Sequence, residues 1–212
     1  MDKSLDKTIE ELALTESAKP STSGQDTIAG HMRRILELIG EDANREGLRR
    51  TPERYEKAMR FLTAGYTQDP EKLLNGAMFK VCYDNMVVVK DIEMYSLCEH
   101  HLLPFFGRAH IGYLPAGRVI GLSKLPRLID VFAHRLQLQE RLTHQIASAV
   151  LSVTDSAGVG VVMNARHLCI EMRGVGKPDS ETVTSALLGD LDTDSGARAE
   201  FLDRVGISGR SR

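Results

Sequence analysis

Cys98, Glu99, His100 and His101 stand together directly after an alternating apolar segment, with Cys98 and His101 three residues apart. That spacing lets one short loop present a thiolate and an imidazole to a single ion, and zinc accepts both in tetrahedral geometry. A closed structural site takes four protein ligands. Of the two remaining cysteines, Cys169 in HLCIEMRG is the plausible second thiolate. Cys82 has no nearby histidine and reads as a small buried apolar residue. Two thiolates and one imidazole leave a fourth position open, as a catalytic zinc does for water. The alternative is that Cys98 and Cys169 are core cysteines beside an incidental histidine pair. The Cys-x-x-His spacing by itself does not choose between them.

Other residues surround this constellation in the sequence. His100 adjoins His101 and should point elsewhere. His167 precedes Cys169 by two, so on a strand both side chains face the same side, and Arg173 follows at an even interval. Histidine is the usual acid or base near neutral pH. Ser123, Lys124 and Arg127 sit at the start of an expected helix, whose N-terminus favours anions. Arg54 and Lys57 lie on an earlier helix, and together these groups could hold a polyphosphate. Surface charge is the plainer account of each pair alone. Gln139 and Glu140 open another helix. A carboxylate can accept from the N1–H and amino group of guanine, a donor pair adenine lacks. A surface ion pair of Glu140 with Arg141 is the competing reading.

The elements that must position these residues follow from patterning. Residues 1–25 read as a polar tail, too poor in apolar surface to offset the entropy of ordering it, with a short helix around Ile9–Leu14. Residues 26–77 read as a helical region. Its first helix carries Ile28, Met32, Ile35, Leu36 and Ile39, with Gly40 after it. A second starts at Thr51-Pro52 with an apolar face of Tyr55, Ala58, Met59 and Leu62. Strands are predicted over Met78–Tyr83, Met86–Leu97 and Phe105–Leu114. Two helices follow, one with Leu125, Leu128, Ile129 and Phe132 and a Ser123 cap, the other with Leu138, Leu142, Ile146, Ala149, Val150 and Val153. Strands over Val159–Asn164 and His167–Arg173 and a helix over Ala197–Val205 complete the chain. Strands, two helices, strands is an α+β pattern built on antiparallel hairpins.

Composition narrows the function classes. The 212 residues hold 27 Lys and Arg against 29 Asp and Glu, a net charge of −2. That balance argues against a nucleic-acid binder. No apolar run reaches the length of a membrane span, and the acidic, polar first residues are no secretory signal. Three cysteines without paired spacing point to a reducing, cytoplasmic setting.

Three segments, SLCEHHLLPFFGRAHIGYLP, GRVIGLSKLPRLIDVFAHRLQLQERLTHQI and HLCIEMRGVGKPDSETVTSALLG, together resemble GTP cyclohydrolase I of the zinc-dependent type. The resemblance runs from about Asp26 to the C-terminal helix. It implies the tunnelling fold (T-fold), a unit of two strands, two helices and two strands in residues 78–212. It also implies a homodecamer of two stacked five-membered rings, with sites between subunits. The implied reaction takes GTP and water to 7,8-dihydroneopterin triphosphate and formate, opening pterin and tetrahydrofolate synthesis. The resemblance makes Cys98, His101 and Cys169 zinc ligands and His100 and His167 catalytic. It makes Ser123, Lys124, Arg127 and Arg173, with Arg54 and Lys57, contacts of the triphosphate or ribose. Gln139 and Glu140 become the guanine-reading pair. The resemblance leaves open a feedback regulatory protein as a further partner. His134 and Leu136 depart from the commoner Arg and Pro, which bears on local loop geometry. Two other classes compete: a nitrile reductase with a cysteine nucleophile and NADPH on the same fold, and an inactive paralogue serving as a binding subunit. Zinc content separates the first and formate release from GTP the second.

Overall fold

A computed structural model of the chain describes residues 26–75, 77–174, 176–177 and 179–206. The expected tail and its helix around Ile9–Leu14 lie outside these described residues. The chain divides into two compact units after Met59.

In the first unit, α1 (Ile28–Leu38) starts at Thr27, whose side chain accepts from the Gly30 amide. Gly40 follows the helix at φ +91, a left-handed conformation that glycine adopts without a Cβ penalty. The division falls within α2 (Thr51–Leu62). Ala29 N–H donates to Glu56 Oε2 at 3.1 Å and ties the two helices. The expected apolar stripes are only thinly buried. Leu36 is the buried residue of α1 and Pro52 that of α2, while Ile39 is 68 % exposed.

The second unit continues through a 3-10 turn (Ala64–Thr67) and α3 (Pro70–Asn75) into the sheets. Among the described residues β1 (Met78–Lys80) pairs with β4 (Arg118–Ile120) in a sheet of two strands. The main sheet has the order β5-β2-β3-β6-β7. Its members are β2 (Val87–Cys98), β3 (Pro104–Leu114), β5 (Leu136–Gln137), β6 (Gly158–His167) and β7 (Thr182–Gly189). All neighbours are antiparallel except the two-residue β5, which runs parallel to β2. The chain is therefore α+β on an antiparallel sheet, as its patterning predicts.

Alternation explains the packing. Ala109, Ile111 and Tyr113 on β3, with Val159, Val161 and Met163 on β6, are fully buried. They belong to one core with the stripes of α4 (Lys124–Ala133) and α5 (Gln139–Thr154). On the opposite face Gly112 and Gly160 are cross-strand partners. A Cβ on either would stand 2.5 or 2.6 Å from the Phe201 ring. The glycine pair thus makes the seat for the last helix, α8 (Ser195–Val205), which follows a single turn, α7 (Asp190–Thr193).

Four expectations are corrected. The first predicted strand stops at Lys80, and Cys82 beyond it is exposed, not buried. The strand expected over His167–Arg173 is absent. β6 runs to His167, and α6 (Leu168–Glu171) follows as a single helical turn. The cause lies in the pairing: His167 opposes Phe105 near the start of β3, so the chain has no strand partner beyond it. β7 was not anticipated, although Thr182, Val183 and Thr184 carry a β-branched signal. Ser123 precedes α4 but makes no side-chain cap bond and is itself in the right-handed helical region.

Candidate functional site

The β2–β3 connection is a tight loop closed at both ends by Cys98. Its amide donates to Leu103 O at 2.9 Å, and its carbonyl accepts from the Leu102 and His101 amides at 2.8 and 3.3 Å. Leu102 holds φ +57, an unusual conformation for a bulky residue, costing on the order of 1–2 kcal/mol. The turn folds His101 back toward Cys98. Because β6 runs antiparallel to β3, its end lies beside the start of β3 and so beside this loop. His167 stacks flat on Phe105, with centroids 4.7 Å apart and planes 2° from parallel. The helical turn after it carries Cys169 to the loop.

The ligand atoms of Cys98, His101 and Cys169 all lie within 4.8 Å of one another. Around a tetrahedral zinc, bond lengths of about 2.3 Å to sulfur and 2.0–2.1 Å to nitrogen place donors roughly 3.5–4 Å apart. A small closure brings the three onto one ion. Burial raises the Cys169 thiol above its ordinary value, and the neighbouring Cys98 adds to this. A divalent cation between them reverses that balance, since coordinated thiols lose their protons. The donor set fits a soft divalent metal.

A cavity of about 420 Å³ opens onto these ligands, and His100, His167, Gln139, Glu140 and Arg173 also line it. Burial pushes His167 below the ordinary histidine value, against the opposing pull of the Ala165 backbone and the Glu140 and Glu171 carboxylates. The balance favours its uncharged form. Its Nδ1 is buried and has no partner at hydrogen-bond geometry among the described residues.

Glu140 is exposed in the first turn of α5. The competing Glu140–Arg141 pair is not what forms, because Arg141 pairs with Glu99 instead. Gln139 is 2 % exposed. Its Nε2 donates to Met163 O, Thr182 O and Thr184 Oγ1 at 3.1, 2.9 and 3.1 Å. Its amide hydrogens are thus committed to β6 and β7, and only Oε1, buried without a partner, is left over. Arg173 stands on the exposed bend after α6 and not on a strand.

The phosphate candidates separate. Ser123, Lys124 and Arg127, at the start of α4, do not line this cavity. Arg54 and Lys57 are exposed on α2. Arg54 there donates to Gly47 O and Thr51 Oγ1 at 3.1 and 3.0 Å. Leu136 uses its amide to donate to Tyr66 Oη at 3.0 Å, a bond proline would lack.

Sequence reading missed the residues that brace the site. Arg166 meets Glu171 with two parallel bonds of 2.8 Å and so fastens the Cys169 turn to β6. Opposite charges five apart were the available signal, but a strand assignment over Glu171 hid it. Among the described residues no helix is long and apolar enough to cross a membrane.

A sequence model of the family described as GTP cyclohydrolase I matches residues 28–206. Curated relatives bearing the name GTP cyclohydrolase 1 are similar over most of the chain. One from Leptospira biflexa is 60% identical over 171 residues, covering 81% of this chain and 93% of its own. One from Alkalilimnicola ehrlichii is 59% identical over 173 residues, covering 82% and 94%. One from Coxiella burnetii is 55% identical over 179 residues, covering 84% and 97%.

Proposed function

Since the chain belongs to the GTP cyclohydrolase I family, we propose that Cys98, His101 and Cys169 would hold a zinc ion in its active site. The activity itself is hydrolysis of GTP at guanine C8 with release of formate and rearrangement to 7,8-dihydroneopterin triphosphate, in pterin biosynthesis. The observation that carries the zinc assignment is the convergence of three soft donors within 4.8 Å in a cavity that also presents His100, His167 and Glu140.

When bound, zinc would supply a Lewis acid that lowers the pKa of a water to about 7. The chain's residues do the rest. Glu140 accepts from N1–H and the amino group of guanine, which orients C8 toward the ligand cluster. Gln139 fixes the start of α5 to the sheet and leaves Oε1 for the base. C8 is a poor electrophile until N7 is protonated, and His100 and His167 are the acid–base groups at hand. A positioned histidine contributes about 10²–10⁴-fold. The same two serve the later opening, isomerisation and closure of the ribose. Burial, which disfavours the charged form of His167, suits it to accept a proton in those steps.

Arg173 meets the triphosphate or ribose at the cavity mouth. Ser123, Lys124 and Arg127 lie away from this chain's own cavity, which supports a site completed by a neighbouring copy. In that reading they hold the triphosphate of a nucleotide bound at another subunit's cluster. The catalytic body is the T-fold of residues 78–212, assembled as a homodecamer of two five-membered rings in the cytoplasm, where a feedback protein could dock. Formate release from GTP, measured beside zinc content per chain, tests the assignment. Full activity in metal-free protein would remove zinc from the reaction.

A further inference from the structure

The Cys98–His101 loop and the start of α5 are joined by one side chain. Arg141 sits one residue after Glu140, in the first turn of α5. Its guanidinium donates to Glu99 Oε2 in the metal loop, to Gln137 Oε1 at 3.0 Å and to Leu136 O at 3.1 Å. The pair is mostly sheltered, with side-chain exposures of 27 % for Arg141 and 31 % for Glu99. Glu99 is anchored from its other end as well, because its amide donates to Gln137 O at 3.1 Å. Gln137 is in turn 2 % exposed, and its Nε2 donates to Phe132 O and Gln145 Oε1 at 3.0 and 2.8 Å.

We infer that Arg141 is a positioning residue that sets the metal loop against the base-reading turn of α5. This rests on the zinc and guanine assignments proposed above and adds to them a role for a residue that touches neither ligand. The physical reason is the weakness of the alternative contacts. The ladder between β2 and β5 spans only Leu97↔Leu136 and Cys98↔Gln137. Two parallel residue pairs are a thin hinge between the segment carrying two ligands and the helix carrying Glu140. A guanidinium bridges it with several donors in a rigid plane, a geometry lysine does not reproduce. Partial shelter from water makes the charge-assisted bond to Glu99 stronger than a surface pair. Arg141 also balances the Glu99 carboxylate, which would otherwise stand unpaired beside a site whose two thiolates already neutralise a divalent ion.

The test uses full-length protein with Arg141→Met, Arg141→Lys, Glu99→Gln and the double variant Glu99→Gln/Arg141→Met. Zinc affinity is read by competition with a chromogenic chelator, steady-state kinetics give kcat and KM for GTP, and the metal-free forms are melted. Arg141→Met and Glu99→Gln should each weaken zinc binding about tenfold or more, the usual scale for an outer partner. Each should raise KM for GTP, with Arg141→Lys recovering part of both losses. The double variant should be little worse than the weaker single one, because both remove the same contact. Unchanged zinc affinity in folded variants overturns the inference. So does a lowered melting temperature with intact zinc affinity, or strictly additive losses. If Arg141→Met does not fold, Glu99→Gln, which keeps the side-chain shape, decides the question. Wild-type protein that binds no zinc would instead defeat the metal assignment itself, before any variant is compared.

Discussion

The sulfurs of Cys98 and Cys169 face each other within 4.8 Å, one from the end of β2 and the other from a helical turn beyond β6. What joins them is β3, which pairs with both strands. The metal site is therefore a property of sheet registry, and a slip of one residue in β3–β6 pairing would turn His167 to the other face.

Replacing Cys169 by serine is expected to abolish stoichiometric zinc and formate release together. The loss should exceed the roughly 10–100-fold seen when an outer partner is removed. Cys169 is only partly buried, on a single turn outside the sheet, so the far-UV spectrum should stay that of the folded protein. Zinc analysis and circular dichroism on the same sample check both halves.

Glu140→Ala should lower kcat/KM for GTP by about 10²–10⁴-fold, the equivalent of two hydrogen bonds to a charged acceptor. Its effect on ATP turnover should be small, so discrimination collapses. Unchanged discrimination between the two nucleotides would take Glu140 out of base recognition.

Phe201 fills the seat formed by Gly112 and Gly160. Phe201→Ala should destabilise the protein by about 3–5 kcal/mol through the cavity it leaves. Gly160→Ala should cost about 1–3 kcal/mol through overpacking of the same ring. Denaturant titration of both variants, with zinc site occupancy unchanged, is the check.

His110 gives stability a pH dependence. It is 7 % exposed, and its Nδ1 accepts from the Asp91 amide at 3.1 Å. Burial holds its pKa below the ordinary 6.5, outweighing the attraction of Asp91, while Lys90 and Arg108 push the same way as burial. The unfolded chain therefore takes up a proton at a higher pH than the folded one. Well above pH 6.5, from about pH 7.5 upward, both states are neutral here and the group adds little slope. As pH falls below that value the folded state loses stability, by up to 1.36 kcal/mol per unit of pH. His110→Gln should flatten this part of the profile, measured by urea titrations between pH 5 and 8 in zinc-loaded protein.

Legibility differed by element. The stripes of α4 and α5 were readable because their apolar residues recur at helical spacing: Leu125, Leu128, Ile129, Leu142, Ile146 and Val150 are fully buried, while Ala149 and Val153 are half-buried and Leu138 only precedes α5. The strand reading of Cys169 failed because a run such as HLCIEMR alternates whether or not a partner strand exists beside it. Cys82 failed for a related reason: a cysteine without a nearby histidine is ordinarily buried, but the strand assigned to it ends at Lys80.

Residue chemistry along the chain determined which groups could meet a metal, a base and a phosphate, since thiol, imidazole, carboxylate and guanidinium have those affinities wherever they stand. It also determined the α+β class, because hydrophobic periodicity is local. Tertiary structure alone decided which of those groups share a cavity. It brought His101, His167, Cys169 and Glu140 together, left Lys124 and Arg127 outside, engaged the Gln139 amide in the sheet and gave Arg141 to Glu99 in place of Glu140. Such choices depend on strand registry and on contacts between residues far apart in the chain, and local spacing carries no record of either.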